Sequence, residues 1–410
     1  MLRRYGVLSE RGKILMKTYD VAVIGSGLVG LSTAYELAKK GRKVALIDSL
    51  GLSAGASSAN TSLLLFEGVT RGMIFDLCVE SIESYANMAE ELGGDVGFET
   101  AKMICYIKNE ENFAEARRMS DFYVENGFEY DVVDDSTLHK LEPELNMEGM
   151  LGALYFTQWK MDPLRVVYAY FTRAREYGMD WYPHNKAIGF RKNNERILGV
   201  ITEKGTIQAE QYVVATGAWT RELMLTLNID IPEYYIQGAA LVAERGGISL
   251  NNVIYQFEPT RVRMEQRSGE LAMELGWENI PKLVASEFVI LQDSHGNLVS
   301  AQSSMVTPEI VNAVPPEFLR DMAANIKLHF PKFGVCKVIR SWICPIPFVP
   351  DGKPFFGFVR PYNNLLLASG FASVLIMTPI LGKLASSLLE GERISYDLSS
   401  FDPCRFEKVV

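Results

Sequence analysis

The chain has 410 residues, is 48% hydrophobic and 22% charged, and carries a formal net charge of -9. This is globular composition with length for two domains, and an acidic chain without a long basic run argues against a nucleic-acid partner or an anionic lipid surface. Five scattered cysteines, Cys78, Cys105, Cys336, Cys344 and Cys404, form no C-x-x-C pair and read as reduced thiols. Four separated histidines offer no metal-ligand spacing, so no metal is expected.

In chain order, the basic start Met1–Asp20 is interrupted by Ser9, Glu10 and Arg11 and lacks the apolar run of a signal peptide. Residues 1–15 read as an extension outside the core fold. No run reaches the roughly 18 apolar residues of a membrane span. The expected setting is the cytoplasm, with peripheral membrane association as the alternative.

The first firm element is Tyr19–Asp48. Val21, Ala22, Val23 and Ile24 make a continuous apolar run, which suits a strand buried on both faces. Gly25, Gly27 and Gly30 follow in G-x-G-x-x-G spacing, then Leu31, Ala34, Leu37 and Ala38 at helical period. Val44–Ile47 form a second strand that closes on Asp48. Gly25 permits a tight turn, Gly27 lets a pyrophosphate approach the backbone, and Gly30 lets helix and strand pack closely. The helix N-terminus favours phosphate, and Asp48 sits where a carboxylate accepts from ribose hydroxyls. The acid argues against a 2′-phosphate and leaves NAD and FAD open.

Further motifs follow: Ala54–Gly68 ("AGASSANTSLLLFEG"), Leu141–Leu145 ("LEPEL") and Lys160–Tyr170 ("KMDPLRVVYAY"). After them come Ile207–Leu223 ("IQAEQYVVATGAWTREL"), Ser341–Gly357 ("SWICPIPFVPDGKPFFG") and Asn364–Leu389. Together and in this order they resemble the D-amino-acid-oxidase-type flavoproteins, which include glycine and sarcosine oxidases, D-amino-acid dehydrogenases and dye-linked proline and opine dehydrogenases. The resemblance spans nearly the whole chain and implies FAD. It implies an α/β (α+β) fold in which a Rossmann-type FAD-binding domain (16–75, 150–225 and 335–410) interleaves with an antiparallel-sheet substrate domain (76–149 and 226–334).

Between about 234 and 306 the chain is rich in short β-like runs, with a hairpin expected around Ser294–Asn297. Pro315–Pro331 reads as a helix with Phe318, Met322, Ile326 and His329 along one side, His329 being a packed histidine. Ile248–Ser286 is longer than the connection usual in the resembled family and reads as a lid, a subunit contact or a solvated insertion.

By the same resemblance the cofactor contacts are Gly25, Gly27, Leu28, Val29 and Gly30, with Asp48 and Ser49. Ser57, Ser58, Asn60 and Thr61 follow, then Ile188, Thr216, Gly217 and Trp219. Gly370, Phe371, Ala372, Ser373, Val374, Met377 and Thr378 complete the set, the residues from Gly370 to Met377 forming a loop over the flavin before a helix that starts near Thr378–Pro379. Cys344, Ile346, Phe371 and Met377 wall the flavin and substrate pocket, and no obligatory acid or base is identified. The reaction implied is hydride transfer from a substrate Cα–H to flavin, giving an imine. Donors would be a secondary amine such as proline, an N-substituted glycine or a D-amino acid, and the electrons would pass to a carrier or to oxygen. Alternatives are a hydroxy-acid or glycerol-3-phosphate-type dehydrogenase, or an electron-relay subunit of a larger complex; a homo-oligomer or a partner subunit would suit either.

Two departures stand out. The arginine that clamps substrate carboxylates in the resembled enzymes is Ile346 here, and the alternative lysine of the flavin loop is Ile376. Arg71, Arg261, Arg263 and Arg340 are the candidate replacements, with "TRVR" placing Arg261 and Arg263 on one face if it is a strand. Cys344, seven residues before Asp351, stands where monomeric sarcosine-oxidase-like enzymes hold flavin through a thioether. The favoured reading is a small buried thiol beside a non-covalent FAD, with covalent attachment as the alternative.

Overall fold

The computed structural model describes residues 18–64, 72–245, 247–257, 260–293, 295–335, 337–372 and 374–406. The extension 1–15, Arg71, Ser294, Cys336 and Ser373 lie outside the described residues.

The first sheet has eight strands. Its spatial order is Phe355–Phe358, Leu365–Ser369, Gly205–Val214, Thr18–Ile24, Val44–Ile47 and Asp180–Tyr182. All neighbours in this path are parallel except the first pair. Ala187–Lys192 and Ile197–Thr202 continue antiparallel from the start of Gly205–Val214. The apolar run at 21–24 is buried on both faces, as the pattern predicts. Val21 and Val23 join the helical side, while Ala22 and Ile24 join Phe190, Ile197 and Val200 of the antiparallel flap. Helix Leu28–Lys39 packs under the sheet against helix Val374–Glu390, so closely that a Cβ on Gly382 would lie 2.7 Å from Ser32 Cβ. This contact brings the start of the later helix beside the glycine turn.

The second sheet has nine strands, in the order Val338–Phe348, Tyr234–Ala243, Leu298–Thr307, Leu283–Gln292, Val253–Gln256, Glu99–Ile107, Gly152–Lys160 and Leu63–Leu64, with Tyr130–Asp134 paired to Gly152–Lys160. It is antiparallel except for Val253–Gln256 beside Glu99–Ile107. Gly152–Lys160 and Val338–Phe348, which fall within the expected cofactor segments, pair inside this sheet. The predicted hairpin is present as Leu283–Gln292 against Leu298–Thr307.

One face is covered by helix Pro316–His329, whose buried residues are Phe318, Met322, Ile326 and His329, the predicted stripe. His329 is a packed histidine. Its Nδ1 lies 2.8 Å from the Asn325 carbonyl, its Nε2 lies 2.7 Å from the Tyr106 hydroxyl, and its ring stacks on Phe288.

The opposite face, carrying Tyr234, Ile236 and Phe348, is covered by helix Thr260–Leu275. Two expectations are corrected here. "TRVR" opens this helix instead of forming a strand, because Met264, Ser268, Leu271 and Ala272 recur at helical spacing and bury one side. Arg261 and Arg263 therefore diverge: Arg261 is largely buried, with 14% of its side chain exposed, and Arg263 is exposed. The long connection is also not a solvated insertion, since it contributes the strand Val253–Gln256 and this packed helix.

A third correction concerns the later helix, which begins at Val374 and not at Thr378–Pro379. Pro379 lies inside it and cannot donate to the Leu375 carbonyl one turn back. The Tyr85 hydroxyl donates to that carbonyl instead. The buried run Leu375–Ile376–Met377 thus completes a turn that a proline start had excluded from the helix.

Candidate active site

A cleft of about 570 Å³ opens at the carboxyl ends of strands Thr18–Ile24, Val44–Ile47, Gly205–Val214 and Leu365–Ser369, which is where open α/β sheets bind ligands. It has three zones. Asp48, Ser49, Leu50, Lys186, Ile188, Glu203 and Glu222 form one end. Gly25 to Val29, Ser57 and Thr216 to Trp219 form the middle. Pro345, Ile346, Pro347, Ser369, Gly370, Phe371 and Val374 form the far end.

The glycine turn is built by close backbone contact. Gly25 has φ +106, and a Cβ there would lie 2.2 Å from the Ala215 carbonyl oxygen. A Cβ on Gly30 would lie 2.0 Å from the Gly25 oxygen, so this glycine is needed for helix–strand packing. Gly27 faces the cleft, with only Ser57 Oγ near its missing Cβ, at 3.2 Å. That hydroxyl accepts from Leu28 N at 3.0 Å and occupies one free donor of the helix N-terminus.

Asp48 Oδ2 accepts from the Ser26 N–H and hydroxyl, both at 2.9 Å, and Oδ1 accepts from Leu50 N at 2.9 Å and Gly51 N at 3.1 Å. The carboxylate is thereby fixed facing the cleft. With about four acceptor sites in all, any ribose hydroxyl would share oxygens already engaged by this loop. Among the described residues Lys186 is the one cation in the lining, and it pairs with Glu222 at 2.9 Å. A diphosphate in the middle zone would therefore be met by helix N–H groups and the dipole, as the glycine turn requires.

Of the residues expected at the cofactor, Gly25, Gly27, Leu28, Val29, Asp48, Ser49, Ser57, Ile188, Thr216, Gly217, Trp219, Gly370, Phe371 and Val374 line the cleft. Gly30 stands behind the turn. Ser58, Asn60, Thr61 and Ala372 are outside the lining; Ser58 Oγ donates to Gly55 O, and Asn60 Oδ1 accepts from Ser62 N. Met377 and Thr378 are buried within the helix, where Thr378 Oγ1 donates to Val374 O at 2.8 Å. Ile376, the alternative clamp position, is buried there too. Lining residues outside the quoted motifs are Lys186, Ala187, Glu203 and Thr226, brought in by the antiparallel flap and the end of helix Thr220–Leu225, while Glu222 and Leu223 close the motif Ile207–Leu223 without having been expected at the cofactor. The approach of the first four follows from packing, not from any local motif.

At the far end Ile346 lines the cleft and packs against the cluster of Met264 and Leu271 from helix Thr260–Leu275. Cys344 is half-buried on the same strand, paired with Gly238 in register. Burial pushes its thiol up to about 11, against the opposing pull of Arg261. Arg261 Nε donates to Glu265 at 2.7 Å, and its guanidinium stands 4.0 Å from where a Gly238 Cβ would be. Arg340 is exposed, with its guanidinium 5.8 Å from the Trp342 ring centroid. Among the described residues no cluster of potential ligands could hold a metal ion, no helix is long and apolar enough to cross a membrane, and no disulfide joins Cys78, Cys105, Cys344 or Cys404.

An elongated cleft with an acid at one end, an open glycine turn at a helix N-terminus and an apolar far end fits a flavin dinucleotide. Comparison with known proteins agrees. Residues 20–388 match the DAO family, described as FAD dependent oxidoreductase. Glycine oxidase of Geobacillus kaustophilus (strain HTA426) is 25% identical over 400 residues, covering 94% of this chain and 97% of that protein. The bifunctional protein ThiO/ThiG of Synechocystis sp. is 24% identical over 404 residues, and the chain spans 55% of its length. The crystal structure of glycine oxidase from Geobacillus kaustophilus superposes with TM-score 0.82 at 22% identity, covering 95% of this chain and 100% of that one. That of L-proline dehydrogenase from P. horikoshii does so with TM-score 0.79 at 22% identity, covering 95% and 98%. The chain belongs to the DAO family of FAD dependent oxidoreductases, with FAD as its cofactor.

Proposed function

We propose that this oxidoreductase acts on the CH–NH bond of an amine or amino-acid donor, a secondary amine such as proline, an N-substituted glycine or a D-amino acid. The supporting observation is the far end of the cleft. Its walls are Pro345, Ile346, Pro347 and Phe371, with no acid or base side chain there among the described lining residues. When bound in this cleft, FAD would supply the hydride acceptor for the donor's Cα–H, chemistry that belongs to the cofactor. The chain then has to orient the donor, exclude water and hold charge. Ile346 and Phe371 exclude water. Gly25 to Val29 and Ser57 would hold the diphosphate. The start of helix Val374–Glu390 and the backbone at Gly370–Phe371 line the far end of the cleft and would hold the flavin ring.

The apolar Ile346 removes a cation from the usual clamp position, so a carboxylate has to be met elsewhere or be absent. Arg261 is the favoured clamp. It approaches the same strand at Cys344, and its low exposure strengthens a charge-assisted hydrogen bond.

Anaerobic bleaching of the bound flavin tests this reading against proline, sarcosine, D-amino acids and hydroxy acids. Amines should bleach it; bleaching by hydroxy acids alone would overturn the proposal. Arg261→Ala should raise KM for a carboxylate-bearing amine about tenfold or more, while Arg263→Ala and Arg340→Ala should leave it unchanged. Equal effects of all three would remove Arg261 from the role.

A further inference from the structure

Behind the far end of the cleft stands a buried acid to which the cofactor assigns no task. Glu233 immediately precedes strand Tyr234–Ala243 and is 2% exposed. Neither of its carboxyl oxygens has a hydrogen-bond partner among the described residues. A Cβ on Gly370 would lie 3.8 Å from Glu233 Oε1, 2.6 Å from Val349 Cγ2 and 3.6 Å from Pro354 Cα. The carboxyl therefore sits against the Ser369–Gly370 peptide, and both of those residues line the cleft. Among the described residues Ser369 Oγ is also buried without a partner in hydrogen-bond geometry, although it stands near enough to favour the Glu233 carboxylate. Leaving a buried polar group unpaired costs about 1–3 kcal/mol, and most buried polar groups in folded chains have a partner.

Among the described residues the charged and titratable groups around Glu233 are few. Helix Thr220–Leu225 contributes Arg221, whose Nε bonds Asp230 at 2.7 Å and whose Nη2 bonds Glu278 at 2.5 Å. The strand of Glu233 itself contributes Tyr235. On the Val349–Pro354 segment, Asp351 is engaged by Arg405. Strand Leu365–Ser369 offers the Ser369 hydroxyl, and the first turn of helix Val374–Glu390 carries Leu375, Ile376 and Met377. Burial pushes Glu233 up to about 8, with the Ser369 hydroxyl and the Arg221 charge opposing the rise.

Asp48 marks the ribose end of the cleft and the glycine turn marks the diphosphate, so the flavin ring falls at the Ser369–Phe371 end. We propose that Glu233 is a positioning residue for that ring: acting through the Ser369–Gly370 peptide, it takes up one solvent proton when the cofactor gains electrons. On reduction two electrons would pass from the reductant to the cofactor together with the proton that the reduced ring itself takes, one further proton would pass from solvent to the Glu233 carboxylate to form its O–H bond, and no bond of the chain breaks. The proposal rests on the flavin reading of this cleft but not on the identity of the donor. The physical basis is repulsion. Charge added across one peptide in a medium of low polarity raises the proton affinity of a carboxylate, and by linkage the carboxylate opposes reduction.

The sign follows. Below about pH 8 the acid already holds its proton in both redox states and adds nothing. Above that value the oxidised protein carries the carboxylate, and reduction draws in an extra proton.

The test is the midpoint potential of the bound flavin against pH, measured with an electrode and no substrate, in wild type and Glu233→Gln. The wild-type line should steepen on the alkaline side by one proton per two electrons. The Glu233→Gln line should stay straight, with the wild-type slope near neutral pH. Coincident lines would overturn the proposal. Infrared titration of the wild-type chain without cofactor gives a second readout that survives a misfolded variant: a protonated carboxyl band should persist at neutral pH and vanish in mild alkali. Its absence at neutral pH would also overturn the proposal. Since neither measurement uses a donor, failure of the amine reading leaves both outcomes intact.

Discussion

At the residue scale, two glycines three positions apart do different work. Gly27 meets open cleft and Gly30 meets the Gly25 carbonyl oxygen at 2.0 Å from its missing Cβ. Gly27→Val should leave the fold intact and weaken FAD binding at least tenfold, measured by flavin fluorescence. Gly30→Val should destabilise the chain by about 3 kcal/mol or more, because backbone and not a flexible side chain must yield; denaturant unfolding of the chain without cofactor separates the two. Cys344 is a second case. A thiol pushed up to about 11 is almost wholly protonated at neutral pH and makes a poor nucleophile. Acid precipitation should therefore leave the yellow colour in the supernatant, and a yellow pellet would establish a covalent link. Both glycine roles were legible in the spacing. The environment of Cys344 was not, because it depends on Gly238 and Arg261, more than 80 residues away in sequence.

At the element scale, helix Pro316–His329 shows how far periodicity reaches. Its four buried residues were readable from spacing alone, since one helix face against one sheet face needs no further information. It also carries a pH effect. Burial holds His329 below its ordinary 6.5. The unfolded chain therefore binds a proton near pH 6.5 that the folded chain refuses until lower pH. The stability due to the neutral ring is fully present above 6.5 and is lost as pH falls through 6.5 towards the folded value. Urea unfolding at neutral and mildly acid pH should show this loss in wild type and a smaller one in His329→Gln; equal losses would point to other groups. Helix Val374–Glu390 shows where local reading fails. Pro379 suggested a helix start, yet a hydroxyl from Tyr85, on the distant helix Met73–Leu92, supplies the donor that proline lacks. Helix Thr260–Leu275 was missed for a related reason: two arginines flanking a valine look alternating, and only the buried side at 264, 268, 271 and 272 reveals the helical period.

At the scale of the whole molecule, the cleft joins strand ends, the glycine turn, the antiparallel flap and the edge strand of the second sheet. FAD should therefore stabilise the chain as a unit. At a free concentration about 100 times Kd the gain is about 2.7 kcal/mol, which should raise Tm by a few degrees in a thermal shift assay. NADP at equal concentration should give no shift, because Asp48 repels a 2′-phosphate.

The sequence by itself determined the dinucleotide fold, the position of the turn and the acid, and the absence of an arginine at 346, because these are contiguous signals in which backbone geometry and chemistry coincide. Only the tertiary structure decided the surroundings of position 346 and of the buried groups near it. Ile346 packs against a helix from the long connection, Arg261 is swung towards Cys344, and Glu233 is sealed behind Ser369–Gly370. The physical reason is the same in each case: burial and charge at these sites are set by segments far apart in sequence, and no local pattern encodes the distance between them.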